Sequence, residues 1–120
     1  MSPQLAATQL GDALRALGAA GTQVIVVPAP DLSAVPWVPP QLRGLVRAGC
    51  AVLQQAQTRV ARAAGARVAD VAAASVRFAT DPRLFSADRF HPSSAGYALI
   101  ADELAPAVRA AAADALGRTA

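Results

Sequence analysis

The sequence is short of several residue types on which functional sites commonly depend. Its 120 residues contain no lysine, no asparagine, one cysteine, one histidine and one methionine. A single cysteine cannot form an intrachain disulfide, and one histidine without a second cysteine gives no set of metal ligands. We therefore expect neither a metal nor another cofactor. Cys50 falls within a helical apolar pattern, which predicts a small buried side chain.

Positive charge is present but it is not concentrated. All eleven basic residues are arginines, the formal net charge is +3, and the arginines are spaced singly rather than clustered or interleaved with aromatic residues. A nucleic-acid surface normally shows a basic cluster or stripe, so the sequence predicts no nucleic-acid partner. No apolar run is long enough to span a membrane, and the first residues lack the blocks of a signal peptide. The expected location is cytoplasmic by default, or secreted if an upstream segment exists.

Apolar periodicity predicts an α/β fold. Hydrophobic residues make up 54% of the chain and aromatic residues only 4%, so small side chains on helices would build the core. The length suits one domain, residues 1–120. About two parallel strands and three main helices are expected, joined as one right-handed βαβ unit with flanking helices. In chain order the pattern gives a helix over 3–17 capped by Ser2, a strand over 22–27, a helix over 41–64, a strand over 67–71 and a helix over 98–112.

A rigid loop follows the first strand. Residues 24–27 form an uninterrupted β-branched run, which is typical of a strand covered on both faces. The segment 28–40, called here the proline-rich loop, leaves the carboxyl end of that strand, where α/β folds place their sites. Its apolar side chains Val35 and Trp37 could bind a substrate, although an aromatic residue here could equally cap the core.

The only histidine lies three residues after an acid, in the segment Ser86-Ala87-Asp88-Arg89-Phe90-His91-Pro92-Ser93. At this spacing the Asp88 carboxylate can accept the Nδ1–H of His91, which leaves Nε2 free to take a proton from a nucleophile. Pro92 and Ser93 are typical of a helix start, with Ser93 as the N-cap. A lone histidine near a helix start is also compatible with a hydrogen-bonded boundary residue that has no catalytic role.

The same segment, followed by Gly96-Tyr97 and an alanine-rich helix, resembles the last block of the SGNH/GDSL hydrolases, which are esterases and lipases. The resemblance implies that His91 and Asp88 complete a Ser-His-Asp triad. It also implies a partial three-layer, flavodoxin-like fold, with this chain corresponding to the C-terminal half of the family's domain. The Pro-Asp-Leu sequence at residues 30–32 is similar to a loop of the family after its penultimate strand.

Other elements of the family have no match in this sequence. The family uses a serine nucleophile and an oxyanion hole that includes an asparagine, and the chain contains no asparagine. Gly11-Asp12-Ala13-Leu14 invites comparison with the Gly-Asp-Ser-Leu block, but it lies in a helical pattern and Ala13 has no oxygen with which to attack. We therefore expect the chain to correspond to a fragment of the family's domain, with the nucleophilic serine hydroxyl supplied by residues outside this sequence. We also expect one edge of its sheet to be unpaired.

The sequence is compatible with three interpretations. The first is a serine ester hydrolase by lineage, with an ester substrate when complete and with the isolated chain inactive. The second is a non-catalytic module, truncated or a subunit, that self-associates or pairs with a complementing chain through the open sheet edge. The third is a small α/β binding domain unrelated to hydrolases, in which Asp88 and His91 would point away from each other.

Overall fold

The computed structural model describes residues 1–119, which form four α-helices and two short strands. Along the chain these are α1 (Pro3–Ala19), β1 (Ile25–Val26), α2 (Arg43–Ala63), β2 (Arg67–Val68), α3 (Ala72–Thr80) and α4 (Ser94–Thr119), with 3₁₀ turns at Pro40–Leu42 and Pro82–Leu84. The mixed α/β prediction is confirmed. Three main helices were expected, and α3 is an additional helix among the four that the structure describes.

Helix α1 begins and ends where its sequence predicts. The Ser2 hydroxyl accepts from the Leu5 N–H at 3.2 Å, and Pro3 occupies the first turn. The helix ends before Gly21, whose φ of 79° is a left-handed conformation that glycine adopts without strain. Helix α1 packs along α2. The contact is close because its buried residues are small apart from one leucine: Ala7, Gly11 and Leu14.

The two strands are parallel, but they are shorter than predicted. Ile25 pairs with Arg67 and Val26 with Val68, and the flanking bonds run from Arg67 N to Val24 O and from Ala69 N to Val26 O, both at 2.9 Å. In such a ladder the peptide groups of Ile25 and Val27 face the opposite edge. Within residues 1–119 no strand pairs with that edge. Each strand keeps regular geometry over two residues only.

The helices extend well beyond this small sheet. Helix α4 has 26 residues, about 39 Å of length, whereas a two-residue strand spans about 7 Å. The molecule is correspondingly elongated, at 52 × 31 × 20 Å. Several leucines that periodicity places on buried faces therefore stay uncovered: Leu5 is 50% exposed, Leu17 46%, Leu42 45% and Leu45 74%. Cys50 is likewise only half-buried, which corrects the prediction of a buried thiol.

The buried positions are mainly occupied by small side chains. Seven of the nine buried hydrophobic residues are alanine or valine, and the two larger ones are leucines. Helix α4 contacts both strands, and the Arg67 guanidinium on β2 forms an ion pair with Asp114 on α4. Within residues 1–119, no helix combines the length and apolar character needed to cross a bilayer. The C-terminal part of α4 thus contacts the sheet, and its N-terminus lies close to His91 in the chain.

Candidate active site

His91 lies in a tight turn closed at its base, residues 86–91, called here the His91 turn. Phe85 and Pro92 form an antiparallel bridge beneath it. Ser86 closes the turn twice, because its N–H donates to the His91 carbonyl and its hydroxyl donates to the Pro92 carbonyl, both at 2.8 Å. The Arg89 N–H donates back to the Ser86 carbonyl at 3.0 Å. The backbone on both sides of His91 is therefore fixed.

Asp88 uses both carboxylate oxygens to hold this turn. Its Oδ1 accepts the N–H groups of Phe90 and His91, each at 3.0 Å, and its Oδ2 lies 2.6 Å from His91 Nδ1. The hydrogen bond from His91, followed by those from the two backbone amides, lowers the pKa of Asp88 to about 2. Asp88 is therefore a carboxylate across the ordinary pH range, and it can only accept. The spacing of three residues is what lets one side chain reach both the amides and the ring.

The state of the His91 ring follows from that partner. An ionised Asp88 accepts from Nδ1, so in the neutral ring the proton is on Nδ1 and the Nε2 lone pair is available. Within residues 1–119, Nε2 has no hydrogen-bond partner, and the His91 side chain is 64% exposed. The arrangement is that of a base whose orientation is set and whose reactive nitrogen is open. The third interpretation, which needs Asp88 and His91 apart, is not supported by this geometry.

Ser93 connects the turn to helix α4. Its hydroxyl accepts from the Gly96 N–H at 3.2 Å, as predicted for an N-cap, and also donates to the Arg83 carbonyl at 2.7 Å. Its N–H donates to the Leu84 carbonyl at 2.8 Å. Helix α4 therefore starts in close contact with the Pro82–Leu84 turn. Only a residue without a side chain fits at Gly96, since a Cβ there would lie 2.2 Å from the Leu84 oxygen.

A groove of about 320 Å³ lies beside His91, and it is called here the His91 groove. Val27 at the end of β1, Val71 after β2 and side chains from α3 contribute to its walls. Its polar lining side chains are Asp31, Ser75 and His91. Its apolar lining residues are Val27, Pro30, Leu32, Ala34, Val35, Val71, Ala74, Phe78, Ala79, Phe85, Phe90, Pro92 and Ile100.

The structure separates the two residues proposed for substrate binding. Val35 is buried and lines the His91 groove. Trp37 lies outside the described lining, with its ring edge-on to Phe85 at a centroid distance of 4.6 Å. Trp37 therefore packs behind the groove wall. Phe90 does line the groove, although it is 67% exposed, and its ring lies 5.0 Å from that of His91.

Asp31 is a polar residue of the groove whose place the sequence did not predict. Its Oδ1 accepts from the N–H of the fully buried Ser33 at 2.8 Å, and its Oδ2 lies 3.8 Å from Arg47 Nε. The hydrogen bonds from Ser33 hold the pKa of this carboxyl below its ordinary value, and Arg47 adds to the effect. The groove thus has a carboxylate in a mostly apolar wall. The signal in the sequence is the Asp-x-Ser spacing, which is typical of an Asx turn.

Five of the six serine hydroxyls have a described hydrogen-bond partner other than His91. Those of Ser75, Ser86 and Ser93 donate to backbone carbonyls, while those of Ser2 and Ser33 accept from neighbouring groups. None of the six serines, Ser94 included, is hydrogen bonded to His91 within the described chain. No serine of residues 1–119 is thus placed as a partner for Nε2.

Comparison with known proteins identifies the lineage of this site. A sequence model of the GDSL-like Lipase/Acylhydrolase family matches residues 1–99, a range that includes the whole His91 turn. A GDSL-like esterase from Mycobacterium tuberculosis is 39% identical over 105 residues, covering 86% of this chain but 33% of the esterase. The chain therefore spans about a third of the length of this curated relative. No solved structure matches it. On the family match, this chain belongs to the GDSL-like lipase/acylhydrolase family, the SGNH hydrolases.

Proposed function

We propose that the chain provides the histidine and aspartate of a carboxylic ester hydrolase site, and that the attacking serine comes from residues outside this sequence. One observation carries the proposal: His91 Nδ1 lies 2.6 Å from Asp88 Oδ2 while Nε2 has no partner in the described chain. The chain is then a single domain-level unit that corresponds to the C-terminal half of the family's domain.

In the proposed reaction each group has a defined role. The Nε2 of His91 takes the proton of the incoming serine as its oxygen attacks the ester carbonyl carbon. The resulting imidazolium is stabilised by the ionised Asp88 and gives its proton to the departing alkoxide. A water molecule then attacks the acyl carbon while His91 takes its proton. The serine oxygen leaves and is reprotonated by His91, and the carboxylic acid is released. Oxyanion stabilisation is not supplied by an asparagine of this chain, since it has none.

The His91 groove supports an apolar acyl group as the substrate part bound here. Its volume of about 320 Å³ is at the small end of the range for ligand sites. An apolar wall cannot replace the water around a polar or charged acyl group, and the Asp31 carboxylate would repel an anionic one. In this proposal Val35 contacts the acyl group, whereas Trp37 supports the groove wall by packing against Phe85.

The test is ester hydrolysis with and without a complementing chain. With the purified 120-residue protein alone, a short-chain p-nitrophenyl ester should be hydrolysed no faster than it is without protein. Mixed or co-expressed with the part of the Mycobacterium tuberculosis esterase outside the matched third, the protein should give turnover. His91→Ala should abolish that turnover, and Asp88→Asn should reduce it by up to about 10⁴-fold. Arg59→Met, on the exposed side of α2, is the control.

Two results would contradict the proposal. Turnover by the isolated chain that His91→Ala removes would place a nucleophile within these residues. Full turnover by the complemented His91→Ala protein would show that His91 is not the base.

A second candidate function is that of a non-catalytic module which pairs through the edge of β1. The observation favouring it is that the peptide groups of Ile25 and Val27 face an edge with no described partner, and Val27 is 41% exposed. Such an edge can take up a strand from another chain.

Paired proline variants distinguish this function. Ile25→Pro removes a donor only from the open edge, whereas Val26→Pro removes the donor that faces β2. If the edge binds a partner, light scattering should show association that Ile25→Pro abolishes while the helical circular dichroism is retained. Val26→Pro should instead lower the helical signal or the thermal stability. A protease-resistant wild-type monomer at high concentration would contradict self-association.

A further inference from the structure

Arg89 has an unusual backbone conformation for its residue type. Its φ is 59°, and within residues 1–119 the other positive φ values belong to Gly21 and Gly65. This left-handed region disfavours side chains with a Cβ, and hairpin turns generally use glycine or asparagine there. Arg89 is central to the His91 turn, between Asp88 and the amides that Asp88 accepts. A disfavoured backbone conformation costs free energy and persists only where surrounding contacts offset that cost. We therefore expect such a contact of the Arg89 side chain.

The compensating contact is with Trp37. The guanidinium carbon of Arg89 lies 6.0 Å from the centroid of the Trp37 ring, within the range of a cation–π interaction. Within the described chain Arg89 forms no ion pair with a carboxylate. The indole in turn packs edge-on against Phe85, and Phe85 packs edge-on against Phe78 at 5.0 Å. A continuous line of contacts thus runs from the exposed turn into α3.

Trp37 is a firm support because the proline-rich loop that carries it is tied to α2 at two points. The Ala29 N–H donates to Gln57 Oε1 at 2.7 Å, and Arg43 Nε donates to the Val38 carbonyl at 3.3 Å. The His91 turn, by contrast, is exposed along residues 87–91, and its hydrogen bonds, including those of Ser86 and Asp88, run within residues 86–92. A brace from the loop to the outer end of the turn therefore restricts motion that Ser86 does not.

We propose that Arg89 is a positioning residue, whose guanidinium on the Trp37 ring braces the His91 turn and so holds the His91 ring against Asp88. The proposal rests on the proposed function of His91, because a braced ring matters for catalysis only if the ring is the base. An exposed cation–π contact corresponds to about a two- to five-fold change in an equilibrium constant. Loss of the brace should therefore raise the population of the open turn by that factor.

The chain offers clean readouts, since His91 is its only histidine and Trp37 its only tryptophan. The exchange of the His91 Nδ1–H with water, followed by NMR, measures opening of the bond to Asp88. Arg89→Met and Trp37→Leu should each raise this exchange about two- to five-fold. Arg89→Lys should keep most of the protection, since it keeps the cation. The double variant should exchange no faster than either single variant, because both remove one contact. Arg59→Met should change nothing.

Arg89→Gly separates positioning from fold stability. Glycine adopts the left-handed conformation without strain, so the melting temperature should rise. The contact with Trp37 is lost, however, so exchange of the His91 Nδ1–H should still increase. Unchanged exchange in Arg89→Met and Arg89→Gly, or additive effects in the double variant, would overturn the proposal. In the complemented enzyme Arg89→Met should lower kcat more than it raises KM, and an unchanged kcat would also overturn it. Absence of esterase activity in the wild type would instead refute the function proposed above, and the exchange result would stand.

Discussion

Gly96 gives a sharp test of how the His91 turn is joined to helix α4. A Cβ at this position would lie 2.2 Å from the Leu84 carbonyl oxygen, 2.9 Å from Phe78 Cζ and 3.0 Å from Pro92 Cβ. The phenylalanine ring can shift a little. The carbonyl cannot, because it accepts from the Ser93 N–H at 2.8 Å and belongs to the backbone. Gly96→Ala must therefore separate α4 from the Pro82–Leu84 turn.

Two effects of opposite sign decide the outcome. Within a helix alanine is favoured over glycine by about 0.5–1 kcal/mol. Overpacking in a tight contact costs about 1–3 kcal/mol, and loss of the Ser93 hydrogen bond adds about 1 kcal/mol. The clash wins, and we expect Gly96→Ala to lower the free energy of unfolding by about 1–3 kcal/mol, a fall in melting temperature on the order of 5–10 °C.

Gly49 supplies the matched control. It is also inside a helix, α2, but nothing lies within 4 Å of a Cβ built there. Gly49→Ala should therefore raise the free energy of unfolding by about 0.5–1 kcal/mol, from helix propensity alone. Urea unfolding followed by circular dichroism measures both variants. A Gly96→Ala protein as stable as the wild type would refute the inferred contact between α4 and Leu84.

Three further predictions concern contacts around this core. The pKa of Asp88 lies at about 2 in the fold, below its ordinary value of 3.8, so its contribution to stability is complete above about pH 4 and is lost as the pH falls towards 2; acid titration of Asp88→Asn should lack this component. Asp114→Asn should lower the free energy of unfolding by about 1 kcal/mol, because it breaks the partly buried pair with Arg67, and a stability unchanged in urea would contradict that. Gln57→Ala should cost about 1 kcal/mol and speed hydrogen exchange of the Ala29 amide, and unaltered exchange would show that this bond does not hold the loop.

The features that the sequence predicted well depend on residues close together in the chain. Ser2 and Ser93 cap their helices, and Asp88 reaches His91, because each contact spans three residues. The order of helices and strands also follows from local periodicity. In each of these contacts both residues lie in the same short segment, so the contact forms without any distant part of the chain.

The features that were missed depend on distant parts of the structure. The run at 22–27 has the composition of a long strand, but within the described chain its one pairing partner is β2, which is itself only two residues long. Leu45 fits a buried helical face, yet the sheet is too small to cover it, and it is 74% exposed. Phe90 lines the groove and Trp37 does not, because of how two loops meet, and no spacing in the sequence encodes that. Arg89 has no residue-type signal for a left-handed backbone.

The prolines after β1 affect how this edge behaves in a concentrated solution. Pro28 follows Val27 directly, and Pro30 comes two residues later, so the strand cannot lengthen in that direction. The edge of β1 can accept one short strand, but its ladder stops at Pro28. A partner strand can therefore pair with β1 up to Val27 and no further, which limits how far the sheet can grow towards the proline-rich loop.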